Sequence, residues 1–159
     1  MSNVVMRFDM RCPPQGDVSA SELYQAVVDM AAWADGRGVN VIGLSEHHNT
    51  EDGFLPSPLI LASAIAARTR EIGISIGALL VPLHDPIRMA EDIAVLDNLS
   101  NGRLIVIAGI GYRQSEYHML DKQWSQRGQL IEDNLKIMLQ AWKGEPFEHL
   151  GEKVTVLPK

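Results

Sequence analysis

The sequence PIRMAEDIAVLDNLSNGRLIVIAGIG, residues 86–111, predicts four features in direct succession. These are a helix, a helix terminus, a strand and a glycine-rich turn. Asp85 precedes Pro86 and is the predicted helix cap, since proline favours the first helical position. The apolar residues expected to form the buried stripe of this helix are Met89, Ile93, Leu96 and Leu99. Asn101-Gly102 then ends the helix, and residues 104–108 are apolar enough to form a buried strand.

The same succession of strand and helix occurs four times along the chain. The predicted strands are residues 4–8, 39–44, 72–81 and 104–108. The helices are expected to begin near Ser19, which forms a capping box with Glu22, and then at Pro58, Pro86 and Arg127. Strands that show little polar alternation are typical of a parallel sheet buried on both faces, with right-handed crossovers. The chain is therefore predicted to be a single α/β domain over residues 1–159, with a tail from Lys143 onward.

The composition of the chain argues against several classes of function. The net charge is −6 over 159 residues, which argues against nucleic-acid binding because that needs a cationic surface. No apolar run approaches the roughly 20 residues of a membrane helix, and no export signal precedes the first strand. The single cysteine, Cys12, is compatible with a reducing compartment. We therefore expect a cytoplasmic protein with no membrane or nucleic-acid partner.

The chemistry is expected where the strands end, because α/β barrels hold their active sites at the carboxyl ends of the strands. Four segments occupy these ends: Asp9-Met10-Arg11, Ser45-Glu46-His47-His48, Leu80-Val81-Pro82 and Gly109-Ile110-Gly111-Tyr112-Arg113. Gly77 and Gly109 lie inside or next to strands, which indicates either close approach of a ligand or tight packing. Tyr112 and Arg113 are candidates for ligand contact, with an ordinary loop role as the alternative.

Glu46-His47-His48 is the most reactive of these segments. A neutral imidazole passes protons near neutral pH, so His47 is a candidate general acid or base, and the alternative is a solvated surface histidine. His48 follows on the opposite face of the chain. Glu46 is expected to serve mainly as a structural partner. We expect no metal, because the sequence lacks a His-Glu-x-x-His pattern and a second cluster at ligand spacing.

Taken in order, these motifs resemble those of the bacterial luciferase-like monooxygenases. The matching segments are Glu46-His47-His48, the helix led by Pro58, His84-Asp85-Pro86-Ile87-Arg88, Ala90-Glu91-Asp92, and Leu96 to Arg103 with the strand and Gly109-x-Gly111-Tyr112 after it. The resemblance covers nearly the whole chain, and it is specific through the order and spacing of the motifs. It implies a TIM-barrel-like fold in which these four units form half of a (β/α)8 barrel.

The resemblance also implies a cofactor and roles for particular residues. Members of the family use reduced FMN or an 8-hydroxy-5-deazaflavin coenzyme at the mouth of the barrel. By resemblance, His47 is the catalytic residue that moves a proton or stabilises the flavin–oxygen adduct, while Gly77-Ala78 lies behind the flavin, often as a bulge with a cis peptide. The implied cofactor-binding residues are Gly77, Ala78, Gly109, Gly111, Tyr112 and Arg127, and the implied substrate-binding residues are Met10 and His48. Ile110 departs from the family, where many members carry an arginine near the phosphate.

Three functions are left open by the sequence. The first is a flavin-dependent monooxygenase that acts on a small organic substrate with oxygen, and the second is a deazaflavin-dependent hydride-transfer enzyme. The third is a non-catalytic half-barrel, since 159 residues fall short of the roughly 250 of a full barrel. The outer strands would have bare edges, and pairing of two halves would remove them, so we expect a homo-oligomer.

Overall fold

The computed structural model describes residues 3–158, in which strands and helices alternate as the sequence predicts. The elements are β1 (Val5–Arg7), α1 (Ala20–Ala34), β2 (Val41–Leu44), α2 (Pro58–Arg68), β3 (Gly73–Leu79), α3 (Pro86–Ser100), β4 (Leu104–Ala108), α4 (Gln114–Met119), α5 (Arg127–Ala141), β5 (Phe147–His149) and β6 (Glu152–Val154). Short 3-10 turns lie at Val81–Leu83 and Trp124–Gln126. Within residues 3–158, no helix is long and apolar enough to cross a membrane.

The first four strands form one parallel sheet in the order β1-β2-β3-β4, so each strand pairs with its neighbour in sequence. In the register, Ile42 lies beside Ile74, and Ile76 lies beside Val106. Helices cross between consecutive strands, which confirms the four predicted βα units. Within the described sheet, β1 and β4 are the edges and pair on one side only.

The two faces of this sheet have opposite surroundings. Ile42, Ile74 and Ile76 are completely buried against the helices and form the centre of the core. On the other face, Ile105 and Ile107 are 47% and 53% exposed. This second face would line the interior of a closed barrel, and in the four-stranded sheet it is open.

The helix α3, which follows Asp85, begins and ends where the sequence predicts. The Asp85 carboxylate accepts a hydrogen bond from the Arg88 amide at 2.9 Å, and Asn101 and Gly102 adopt left-handed backbone with φ of 58° and 73°. The prediction for Leu99 is wrong, because this side chain is 51% exposed. Ser100 is fully buried in its place, since its hydroxyl oxygen accepts the Arg103 amide and its carbonyl oxygen accepts Nε of the Arg103 side chain.

Arg103 joins the helix ends to the sheet. Its guanidinium donates to the carbonyls of Ser100, Thr69, Ile72 and Ala66, at distances between 2.6 and 3.1 Å. These carbonyls lie at the ends of α2 and α3 and at the start of β3. One side chain therefore satisfies backbone acceptors that the helix ends leave free.

Two segments contain more structure than predicted. The loop after β4 contains α4, whose Tyr117 is completely buried and donates its hydroxyl to the Ile110 carbonyl. The tail from Lys143 contains an antiparallel pair, in which Phe147 of β5 lies opposite Val154 of β6. Both segments are short, so tertiary contacts rather than local propensity stabilise them.

Candidate active site

A cavity of about 390 Å³ opens at the carboxyl ends of β1 and β2. Its lining residues are Arg7, Phe8, Asp9, Ser45, His47 and Phe54. A larger cavity of about 590 Å³ lies on the outer surface, between α1 and α2. We place the candidate site at the strand ends, because titratable side chains converge there and the outer cavity is mainly apolar.

His47 is held in place on several sides. Its amide donates to the Leu55 carbonyl at 3.1 Å, and its ring meets the edge of Phe54 with centroids 4.5 Å apart. Tyr112 lies on a further side at 5.9 Å. The Nδ1 atom lies 3.6 Å from a carboxylate oxygen of Glu116, and the side chain is 21% exposed. His47 is therefore partly enclosed but still lines the cavity.

His48 points away from His47 into a separate buried cluster. Oε1 of Glu46 lies 2.8 Å from Nε2 of His48 and 2.6 Å from Nε2 of His84, while Oε2 accepts the Leu80 amide at 2.5 Å. Burial raises the pKa of Glu46, but these hydrogen bonds outweigh it and lower the pKa to about 2. Glu46 is thus an anion that ties the end of β2 to the segment after β3, which matches its predicted structural role.

The same three side chains have the composition of a metal site. Their ligand atoms, from Glu46, His48 and His84, lie within 4.8 Å of one another. Ligands around a tetrahedral metal with bonds near 2.0–2.1 Å would lie roughly 3.3 Å apart. The observed N–O separations of 2.6 and 2.8 Å are those of hydrogen bonds instead. The expectation of no metal therefore stays our prediction.

The end of β3 is bulged, and β4 approaches it closely. The Gly77–Ala78 peptide is cis, and the register between β3 and β4 shifts between Gly77 and Leu79. Gly109 donates its amide to the Leu79 carbonyl at 2.8 Å, and a Cβ at Gly109 would lie 2.5 Å from the Cβ of Ala78. The Cβ of Ala78 thus leaves no room for a side chain at position 109, which explains the glycine there.

The turn after β4 leaves its aromatic residue exposed. Gly111 has a φ of 75°, a conformation that favours glycine, and Tyr112 after it is 76% exposed. Arg113 donates to the carbonyls of His48 and Asn49, both at 3.4 Å. The turn is therefore connected to the loop that carries His47.

The remaining predicted residues lie in different surroundings. Met10 is completely buried in the core, and it is not among the residues that line the cavity. Arg127 stacks on Trp124, with its guanidinium carbon 4.1 Å from the ring centroid. Asp9 lines the cavity, and hydrogen bonds from Arg11 lower its pKa to about 2.

Sequence reasoning missed two residues of this region. His84 is named in the sequence analysis only as part of a matching motif, although its ring shares the Glu46 carboxylate with His48. The sequence gives Glu116 no role, but its side chain is 1% exposed and accepts the His48 amide at 3.0 Å. No local pattern identifies Glu116, because its neighbours in sequence do not indicate burial.

Comparison with known proteins identifies the family. A profile described as luciferase-like monooxygenase matches residues 6–159. The oxygenase component of flavin-dependent trigonelline monooxygenase from Acinetobacter baylyi is 29% identical over 82% of this chain and 37% of its own length. The alkanal monooxygenase alpha chain of Photorhabdus luminescens is 26% identical over 92% of this chain and 41% of its own.

Solved structures agree on the fold. The oxygenating constituent of 3,6-diketocamphane monooxygenase from Pseudomonas putida, in complex with FMN, superposes with a TM-score of 0.84 at 24% identity. The monooxygenase RslO1 from Streptomyces bottropensis gives 0.87, also at 24%. This chain is 99% covered in both cases and spans 44% and 50% of those chains, as expected for half of a barrel. It also spans less than half the length of the two curated relatives above. The chain belongs to the luciferase-like monooxygenase family.

Proposed function

We propose that this chain provides the His47-bearing half of a flavin-dependent monooxygenase site that uses reduced FMN and oxygen on a small organic substrate. The observation that carries the proposal is the position of His47. This imidazole lies in the strand-end cavity, fixed by Phe54 and adjacent to the buried carboxylate of Glu116. Family membership and the FMN complex of a structural relative support the choice of cofactor.

The residues at the strand ends fit a flat ring. Gly77 and Gly109 add no side chain beside the β3 bulge, and a Cβ at Gly77 would come within 3.3 Å of Ile107. The family resemblance assigns Arg127 to the phosphate, and the position of Arg127 at the start of α5, where no side chain caps the helix, supports this assignment. The side chain of Ile110 is apolar and offers the phosphate no hydrogen bond.

Reduced flavin, when bound, supplies the electrons that activate oxygen. The chain's own residues hold the reaction in place. His47 holds or moves a proton at Nε2, the ring nitrogen farther from the backbone, while Phe54 covers one side of its ring. Glu46 and Asp9 are anions at neutral pH and serve as fixed charges. Gly111, Ala78, His48 and Met10 remain proposed contributors to the cofactor and substrate pockets.

The first test is titration of the chain with oxidised and reduced FMN, followed by flavin and tryptophan fluorescence. We expect saturable binding, with quenching of Trp124 because it lies against Arg127. A parallel titration with reduced 8-hydroxy-5-deazaflavin tests the hydride-transfer alternative. Absence of binding in every redox state would contradict a cofactor site formed by this chain.

The second test compares His47→Gln with His149→Gln, a control in β5 outside the site. Reduced FMN bound to each protein is mixed with oxygen, and reoxidation is followed by absorbance. We expect His47→Gln to change the reoxidation rate by at least about tenfold, since positioned acid–base groups typically contribute a hundredfold or more. Flavin affinity should stay within about twofold of wild type, because the proposed role concerns a proton. Equal rates in both variants would refute the role of His47.

A second candidate function is assembly of a barrel from two chains. The observation that favours it is the open face of the sheet, where Val5, Ile105 and Ile107 are about half exposed beside unpaired strand edges. Closure of two four-stranded sheets would cover this face. Sedimentation equilibrium at several protein concentrations tests the idea. We expect a dimer, and a strictly monomeric chain would exclude this candidate.

A further inference from the structure

Glu116 is a buried carboxylate that the proposed reaction does not yet use. Its side chain is 1% exposed, and one oxygen, Oε1, accepts the His48 amide at 3.0 Å. Its other oxygen, Oε2, is buried and has no hydrogen-bond partner among residues 3–158. A buried carboxylate oxygen without a proton donor is costly, so the arrangement calls for an explanation beyond the His48 amide.

The nearest titratable group is the ring of His47. Its Nδ1 lies 3.6 Å from Oε1 of Glu116, which is slightly beyond hydrogen-bond distance. In enzymes without substrate, such contacts are often long and tighten when the complex forms. A small rotation of either side chain would bring Nδ1 within reach of the carboxylate.

Other charged groups around this pair are few and lie farther away. Arg113 is 3.9 Å from Oε1 of Glu116, and its guanidinium also donates to the carbonyls of His48 and Asn49. Arg7 and Asp9 line the cavity on the β1 side. Glu116 is thus the acidic side chain that lies closest to Nδ1 of His47.

We propose that Glu116 positions His47 by accepting a hydrogen bond from Nδ1–H, which leaves Nε2 as the basic atom that faces the cavity. This inference rests on the proposed role of His47. A carboxylate only accepts hydrogen bonds, so it selects the tautomer that carries hydrogen on Nδ1. Glu116 is therefore a positioning residue. Glu116 lies on α4, and the completely buried side chain of the next residue, Tyr117, holds this helix in place.

A purely structural role makes a different prediction. If Glu116 only holds the loop through the His48 amide, Glu116→Gln changes little, because the amide oxygen of glutamine still accepts that bond. The substitution preserves shape and removes the negative charge. It therefore separates positioning of the ring from support of the loop.

The experiment is nitrogen NMR of the whole chain labelled at histidine, recorded near pH 8, where an unperturbed imidazole is neutral. Long-range nitrogen–proton spectra report the tautomer, and His47→Gln assigns the signal. We expect hydrogen on Nδ1 of His47 in the wild type. In Glu116→Gln the tautomer ratio should shift by roughly tenfold or more toward Nε2, because a charged hydrogen bond is lost.

Two results would overturn the inference. One is a wild-type spectrum with hydrogen on Nε2, which requires no variant and so does not depend on whether Glu116→Gln folds. The other is an unchanged tautomer ratio in a folded Glu116→Gln. Neither readout involves flavin, so failure of FMN binding would count against the proposed function alone, and a wrong tautomer against the positioning role alone.

Discussion

Replacing Gly109 by alanine tests the close approach of the chain after β4 to the bulged end of β3. The added Cβ would lie 2.5 Å from the Cβ of Ala78, whereas carbon atoms in contact are typically about 3.5–4.0 Å apart. The other neighbours, Leu79 and Leu80, would be at ordinary contact distances of 3.5 and 3.6 Å. The strands must therefore separate by roughly 1 Å at this point.

The expected cost follows from this displacement. Overpacking of a buried contact typically costs about 1–3 kcal/mol. Separation also stretches the 2.8 Å hydrogen bond from the Gly109 amide to the Leu79 carbonyl. A net hydrogen bond contributes about 1 kcal/mol, and alanine recovers a similar amount by restricting the unfolded chain. We expect Gly109→Ala to lower the free energy of unfolding by about 2 kcal/mol.

Urea denaturation followed by circular dichroism measures this change. The matched control is Gly128→Ala in α5, where an added Cβ has no neighbour within 4 Å. The control should be stabilised by up to about 1 kcal/mol, because alanine favours a helix. FMN titration should also show weaker binding to Gly109→Ala. Equal stability of the two variants would refute the argument that β3 and β4 are in close contact.

The remaining predictions concern two charged side chains. Arg103→Met should lower the unfolding free energy by about 2–4 kcal/mol, because several backbone carbonyls lose their donor. Arg88→Met, at a side chain that is 71% exposed, should change it by less than about 0.5 kcal/mol in the same urea experiment, and similar losses would contradict the role of Arg103. The folded-state pKa of Glu46, about 2, lies below its ordinary value of 4.5, so its stabilisation is present above pH 4.5 and is lost as the pH falls toward 2. The wild type should lose on the order of 3 kcal/mol more than Glu46→Gln across that window, and parallel pH profiles would count against the Glu46 cluster.

The elements that sequence reasoning predicted well are those with strong local signals. The capping box at Ser19 is present, with Glu22 reaching back to the cap. Asp85 and Asn101 bound α3 as expected, because a cap or a left-handed residue acts within one helical turn. The short α4 gave no such signal, since it depends on the burial of Tyr117. Leu99 was wrongly predicted to be buried. Helical spacing alone did not show that Ser100 is buried instead, where its oxygens accept hydrogen bonds from Arg103.

The sequence predicted some residues of the candidate site and missed others. The residues that it missed have no local sequence signal. The sequence indicated that His47 and His48 differ in direction, and the structure places them in separate clusters. It also suggested a bulge at Gly77-Ala78 through family resemblance, and the bulge is present. The partner of His47 was not predicted, and the burial of Met10 was not anticipated either.

The sequence by itself determined the alternation of strands and helices and the family, and it indicated the edge of the sheet at which we propose the active site. These properties depend on patterns a few residues long and on the order of motifs. Only the tertiary structure decided which atoms meet at that edge. Glu116 reaches the amide of His48 across 68 positions, and His84 reaches Glu46 across 38. A hydrogen bond requires its atoms to lie about 3 Å apart, and that precision comes from the packing of parallel crossovers, which spacing along the chain does not specify.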